Sequence, residues 1–146
     1  TRDKAPVIYK NAEEFKIGGS KILKESDEDK AVIFTAGITI HEALKAYAEL
    51  KKEGIDVAVV DLYSVKPLDE KTIKGMTEKI KNVVVVEDHY PAGGLGEAVM
   101  TVLTEVNVRL KHLCVKKLPK SGQPEELLRY EEIDSEAIIS TVKNLI

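Results

Sequence analysis

The stretch Val83-Val84-Val85-Val86-Glu87-Asp88-His89-Tyr90-Pro91-Ala92-Gly93-Gly94-Leu95-Gly96-Glu97-Ala98-Val99 constrains the fold more than any other part of the chain. Four consecutive β-branched residues without polar alternation specify a strand buried on both faces, and a glycine-rich turn then opens a helix with apolar periodicity. That pairing is the signature of a parallel α/β sheet. It sets Glu87, Asp88 and His89 at the carboxyl edge of the sheet, where open α/β folds keep their binding crevices.

The rest of the chain continues the alternation. Ser20 to Glu25 reads as a short strand, and Ala31 to Thr35 as a fully apolar one after the polar turn Ser26-Asp27-Glu28-Asp29. So short a connection predicts an antiparallel hairpin, because a parallel crossover takes a dozen or more residues. Thr39 and Glu42 are spaced as a capping box, and Ile40, Ala43, Leu44, Tyr47 and Leu50 carry the helix to Gly54. Val57 to Leu62 is the next strand. Pro67 and Asp69 open a helix with Ile73, Met76 and Ile80 inward, leading into the Val83 strand. Leu95, Val99, Val102, Leu103 and Val106 form the apolar side of the following helix, and Leu110 to Leu118 is the last strand. A loop from Pro119 to Pro124 and a short helix precede a terminal helix capped by Asp134, with Ile138, Val142 and Ile146 inward. The order predicts a doubly wound or single-sided parallel layer system with right-handed crossovers.

Length and composition set the frame. The 146 residues fit one domain able to bury its own core, and no apolar run approaches the roughly 20 residues of a membrane span. Thr1 to Pro6 lacks an initiator Met and a signal-peptide core, as in a cut or mid-chain start. One cysteine, Cys114, excludes an internal disulfide and points to a reducing, cytoplasmic setting. A formal charge of -3, with 22 basic residues scattered among 25 acidic ones, offers no stripe for a phosphate backbone, so nucleic acid and membrane surfaces are excluded as partners.

Four features bear on chemistry. The turn Gly93-Gly94-Leu95-Gly96 precedes a helix, whose free N–H groups can hold an anion. Glycines there serve a tight turn and close helix packing equally well, and the absence of any Gly-x-Gly-x-x-Gly favours the structural reading. Glu87, Asp88 and His89 look like an acid/base group, yet adjacent residues at a strand end point different ways, so an interface or structural role is favoured. His41, His112 and Cys114 lack metal-ligand spacing, and Cys114 reads as a buried, inert thiol. Lys116 to Gly122 is basic and reads as a solvated loop.

As a set, Thr35-Ala36-Gly37-Ile38-Thr39-Ile40-His41-Glu42-Ala43-Leu44, Ser64-Val65-Lys66-Pro67-Leu68-Asp69, Val86 to Val99, Leu118 to Leu128 and Ile133-Asp134 resemble the C-terminal domain of animal-type transketolase. The resemblance covers nearly the whole chain in order. It implies a three-layer α/β/α domain with a five-stranded mixed sheet and one antiparallel strand. It also implies a homodimeric enzyme of the pentose phosphate pathway that moves two-carbon ketol units between sugar phosphates, using thiamine diphosphate and Mg or Ca.

The family's cofactor segment, Gly-Asp-Gly with a following asparagine, is absent here, as is the acidic residue that activates the thiazolium. The resemblance therefore implies a terminal assembly domain, residues 1–146, with no catalytic, cofactor or metal residue of its own. Residues 1–19 connect it to the preceding domain, and its partners are the remaining domains or a complementary subunit. Arg2 lies near the family's substrate-phosphate arginine, and His89, Gly93, Gly94 and Gly96 mark a candidate anion or interface loop. Two other readings stand beside this one: the C-terminal domain of a 2-oxo-acid dehydrogenase β-subunit, docking an acyltransferase, and an independent anion-binding α/β module.

Overall fold

Three runs of β-branched and apolar residues supply the middle of the sheet. The computed structural model describes residues 5–146 and places β1 (Lys21–Lys24), β2 (Ala31–Thr35), β3 (Val57–Asp61), β4 (Asn82–Val86) and β5 (Arg109–Leu113) in the order β1-β3-β2-β4-β5. The β2·β3, β2·β4 and β4·β5 pairs are parallel, and β1 runs antiparallel to β3. All five residues of β2 and of β3 are buried. Strands apolar on both faces belong in the interior of a sheet covered on both sides.

Five helices provide the cover: α1 (Thr39–Lys52), α2 (Glu70–Lys79), α3 (Leu95–Val102), α4 (Pro124–Tyr130) and α5 (Ser135–Leu145). Alternate strand residues divide the core in two. Ala31, Ile33, Val57, Val59, Val84 and Val86 pack with Ala43, Ala46 and Leu50 of α1 and Ile138 and Val142 of α5. On the other face Val32, Phe34, Ala58, Val60, Val83 and Val85 meet Ile73 and Met76 of α2 and Leu95 and Val99 of α3. The result is a three-layer α/β/α domain. The step from β2 to β3 runs opposite to the steps from β3 to β4 and from β4 to β5. Right-handed crossovers therefore put α1 on one face and α2 and α3 on the other. No described helix is long and apolar enough to cross a membrane.

The structure corrects several local expectations. β1 and β2 are not hairpin neighbours. β2 uses both flanks for parallel pairing with β3 and β4, and β1, whose residues alternate between half-buried and exposed, takes the edge beside β3. The connection passes the start of β3, where the Lys30 N–H donates to the Asp56 carbonyl at 2.8 Å. β5 ends at Leu113 rather than Leu118. The N–H groups of Lys116 and Lys117 donate to the Glu131 carboxylate at 3.1 and 3.0 Å, leaving no ladder to extend. Val106 lies beyond the end of α3, yet still packs on the core. At the C-terminus Leu145 is buried and Ile146 is half-exposed, because the inward stripe of α5 passes through 138, 142 and 145.

Other signals hold. Asp69 caps α2 by accepting from the Thr72 N–H at 3.1 Å, Asp134 caps α5 through the Ala137 N–H at 3.0 Å, and Gly54 ends the α1 turn at φ 77°.

Candidate functional site at the carboxyl edge of the sheet

The parallel strands end together at Thr35, Asp61, Val86 and Leu113. Chain direction reverses between β2, whose helix leads toward β3, and β4, whose helix leads toward β5. A crevice at such a switch point is the usual ligand position of an open α/β sheet. Here the protein's own side chains occupy it.

Thr39 is the first of them. It does not form the expected capping box with Glu42: Ile38 is the N-cap of α1 and makes no side-chain cap. The Thr39 hydroxyl turns across the sheet, within 2.7 Å of the Thr35 hydroxyl, 2.9 Å of the Ala36 carbonyl and 3.1 Å of the Val86 carbonyl. Glu42 is released for another task. Its carboxylate accepts from the Ser135 N–H at 2.9 Å and pairs with Lys45 at 2.6 Å, tying α1 to the start of α5.

Glu87 is the second. Only 5% exposed, it follows β4 and turns under α3. It accepts the Leu95 N–H at 2.6 Å, the Gly96 N–H at 2.8 Å and the His112 Nε2 at 2.7 Å. A carboxylate that only accepts fixes Nε2 as the protonated nitrogen of His112. An internal anion thus sits at the α3 N-terminus, where the dipole and two orphan N–H groups favour negative charge.

The glycines explain themselves here. A Cβ on Gly94 would lie less than 3.0 Å from the Glu87 carboxylate, and one on Gly96 less than 3.0 Å from the His112 ring. Close approach is their reason, whereas the positive φ, 74°, belongs to Gly93.

The third plug comes from the chain before β1. The Tyr9 hydroxyl donates to Asp61 at 2.5 Å, Phe15 packs edge-on between Tyr9 and Tyr63 with centroids 4.9 Å from each, and the Gly18 N–H donates to Ser64 at 2.9 Å. Asp61 is 2% exposed and its other oxygen, Oδ1, has no partner among the described residues. Burial pushes its carboxyl above the ordinary value, with the Tyr9 hydrogen bond opposing. Burial and then the bond to Asp61 push the Tyr9 phenol far up.

The expected triplet is dispersed. Glu87 points inward, while Asp88, His89 and Tyr90 are exposed, and the His89 Nδ1 lies 2.9 Å from the adjacent Tyr90 carbonyl. The imidazole that meets Glu87 is His112. His41 is half-buried, beside an apolar groove. Cys114 is buried, and burial raises its thiol. Lys117 and Lys120 lie over the Tyr130 ring at 5.0 and 4.4 Å. Arg2 lies outside the described residues. Among the described residues no group of three or more His, Cys, Asp or Glu side chains is placed to hold a metal ion.

Sequence reasoning missed Thr39, His112, Tyr9 and Asp61 as edge residues. Asp61 carried a signal: a carboxylate ending an unbroken apolar strand must be buried and must find a donor.

Comparison with known proteins agrees with this architecture. A family model described as "Transketolase, C-terminal domain" matches residues 20–138. Transketolase of Rattus norvegicus is 43% identical over 148 aligned residues, covering 100% of this chain and 24% of the relative. Transketolase of Homo sapiens is 42% identical over the same shares. The chain spans about a quarter of the length of the curated relatives it matches. Among solved structures, one titled "Split gene transketolase, inactive beta4 tetramer" superposes with a TM-score of 0.92 at 30% identity, over 99% of this chain and 47% of that one. A transketolase from Campylobacter jejuni shares the fold, at TM-score 0.65 and 19% identity over 87% of this chain and 18% of that one.

Proposed function

Because the chain belongs to the transketolase C-terminal domain family, we propose that it is the terminal assembly domain of a complete transketolase. That enzyme is a homodimer that transfers two-carbon ketol units between sugar phosphates with thiamine diphosphate and a divalent cation. Residues 1–146 form the domain, and within them residues 1–19 are its connection to the preceding one.

The observation that carries this reading is that hydrogen bonds within the chain engage the carboxyl edge, Asp61 Oδ1 excepted. Thr39 bridges β2 and β4, Glu87 holds the N–H groups of α3, and Tyr9 covers Asp61. A crevice filled by its own hydrogen bonds is a rigid scaffold rather than a reaction site. The groups of thiamine diphosphate find no fit in it. A diphosphate needs free N–H or cationic donors, and in the glycine turn the N–H groups of Leu95 and Gly96 are bound to Glu87 and that of Gly93 to Glu97. A divalent cation needs clustered oxygen or nitrogen ligands, and the described residues hold no such cluster. The same occupancy argues against an independent anion-binding module.

His89→Ala in the full-length protein tests the reading. Assembly is expected to weaken, with turnover per intact dimer little changed. Loss of a general acid or base costs roughly 100- to 10,000-fold in rate. A fully dimeric variant with a hundredfold loss of turnover would overturn the scaffold reading, as would saturable micromolar binding of thiamine diphosphate with magnesium to this domain.

A further inference from the structure

Beside the carboxyl edge lies an open concavity of about 780 Å³, and Glu42 and Glu131, whose contacts are described above, are part of its lining. It lies between α1 and α4, walled by Ile38, Leu44, Ala48, Val115, Leu127 and Leu128. α4 has no buried residue at all, so its apolar side, Leu127 and Leu128, is only half covered. A helix whose apolar stripe lacks a partner marks a contact surface.

Small-ligand sites combine apolar walls with a few convergent polar groups. Here two of the polar groups of the lining are already engaged. Glu42 accepts from Ser135 and Lys45, and Glu131 accepts from the N–H groups of Lys116 and Lys117. What is left is apolar area rimmed by charge, with Asp88 and Glu125 on the acidic side and Lys45 on the basic one. That is the anatomy of a protein–protein contact.

Two facts bear on the occupant. About three-quarters of the length of the full-length relatives lies outside this domain. Ala5 and Pro6, where the described chain begins, themselves line the groove. From there the chain runs along the carboxyl edge, fastened at Tyr9–Asp61 and Gly18–Ser64. A domain joined to this one through Ala5 and Pro6 would be held near the groove, and such a link raises its effective concentration there.

We propose that the α1/α4 groove is the docking surface for the domain that precedes this one in the full-length protein, which covers it with an apolar ridge. This rests on the reading of the chain as a terminal transketolase domain.

The test uses the full-length protein with a single cysteine introduced in the groove, Ala48→Cys, and a control at the neighbouring helix position outside it, Glu49→Cys. Modification by a maleimide is followed peptide by peptide by mass spectrometry. Ala48→Cys is expected to react at least tenfold more slowly than Glu49→Cys. Equal rates overturn the proposal. So does protection that disappears on dilution, which would assign the groove to a second copy. Should Ala48→Cys fail to fold, Ala48→Glu is read instead by thermal unfolding: a lowered midpoint is expected, and an unchanged midpoint overturns the proposal. Ketol transfer by the unmodified protein is measured in parallel. Absent transfer refutes the functional reading, whereas normal transfer with a freely reactive Ala48→Cys refutes the docking surface alone.

Discussion

Replacing Glu87 should reveal how much of the stability of this domain rests on one internal carboxylate. The side chains of Glu87 and His112 are 6% and 12% exposed, so solvent cannot replace the lost partner without opening the turn. Glu87→Ala leaves the Leu95 and Gly96 N–H groups and the His112 ring without their acceptor. A buried donor left unsatisfied costs about 1–3 kcal/mol, and removing one member of a buried pair costs about 3–5 kcal/mol. The two estimates meet at about 3 kcal/mol, which is the expected loss. At about 2–4 °C per kcal/mol for a domain of this size, the melting midpoint falls by roughly 10 °C.

Glu87→Gln is not a benign control. Both carboxylate oxygens accept, so an amide NH2 must face one of the donors, and about 1–3 kcal/mol should be lost. His112→Ala keeps both backbone bonds and should cost less than Glu87→Ala. Urea unfolding followed by circular dichroism gives the three values, and amide exchange at Leu95 and Gly96 gives a local reading. The reasoning is refuted if Glu87→Ala lies within about 1 kcal/mol of the parent, below the cost of even one orphaned donor, or if His112→Ala is the more damaging change.

Two carboxylates should give the stability–pH curve opposite slopes. Burial alone would raise Asp69, but hydrogen bonds from the Thr72 N–H and the Ser20 and Thr72 hydroxyls hold it below its ordinary value. Its stabilisation is thus present above the unfolded pKa, about 4, and lost as the pH falls through the folded value. Asp69→Asn should unfold less steeply in acid, and Asp69→Ala should cost about 1–2 kcal/mol at neutral pH through the lost cap. A parent no more acid-sensitive than Asp69→Asn would contradict this. Asp61 is shifted the other way by burial, so its contribution is full below the unfolded pKa and lost as the pH rises through the folded one. Asp61→Asn keeps an oxygen for Tyr9 and should gain on the parent as the pH rises above about 4. Urea midpoints across that rise decide it, and a parallel curve would refute the sign.

The residues that proved hard to read share one property: their partners are set by topology rather than by spacing. The unbroken runs at 31–35, 57–61 and 82–86, and the caps at Asp69 and Asp134, act within a few residues and were legible in the sequence. Thr39 and Glu42 have capping-box spacing too, yet the hydroxyl meets a carbonyl 47 residues away and the carboxylate an N–H 93 residues away. A local motif states what a side chain can accept. The sheet decides what it is offered. The same holds for β1: a short turn permits a hairpin, but β2, apolar on both faces, gains more from two parallel neighbours, and the edge falls to the strand that tolerates exposure. At the carboxyl edge the glycine turn reads from sequence as a structural turn whose free N–H groups could also hold an anion, and in the structure those of Leu95 and Gly96 hold Glu87, only 8 residues before the Leu95 N–H it accepts. A carboxylate placed directly after four buried valines must find donors nearby, and in this sequence the next free donors are the N–H groups of the helix that the same turn begins.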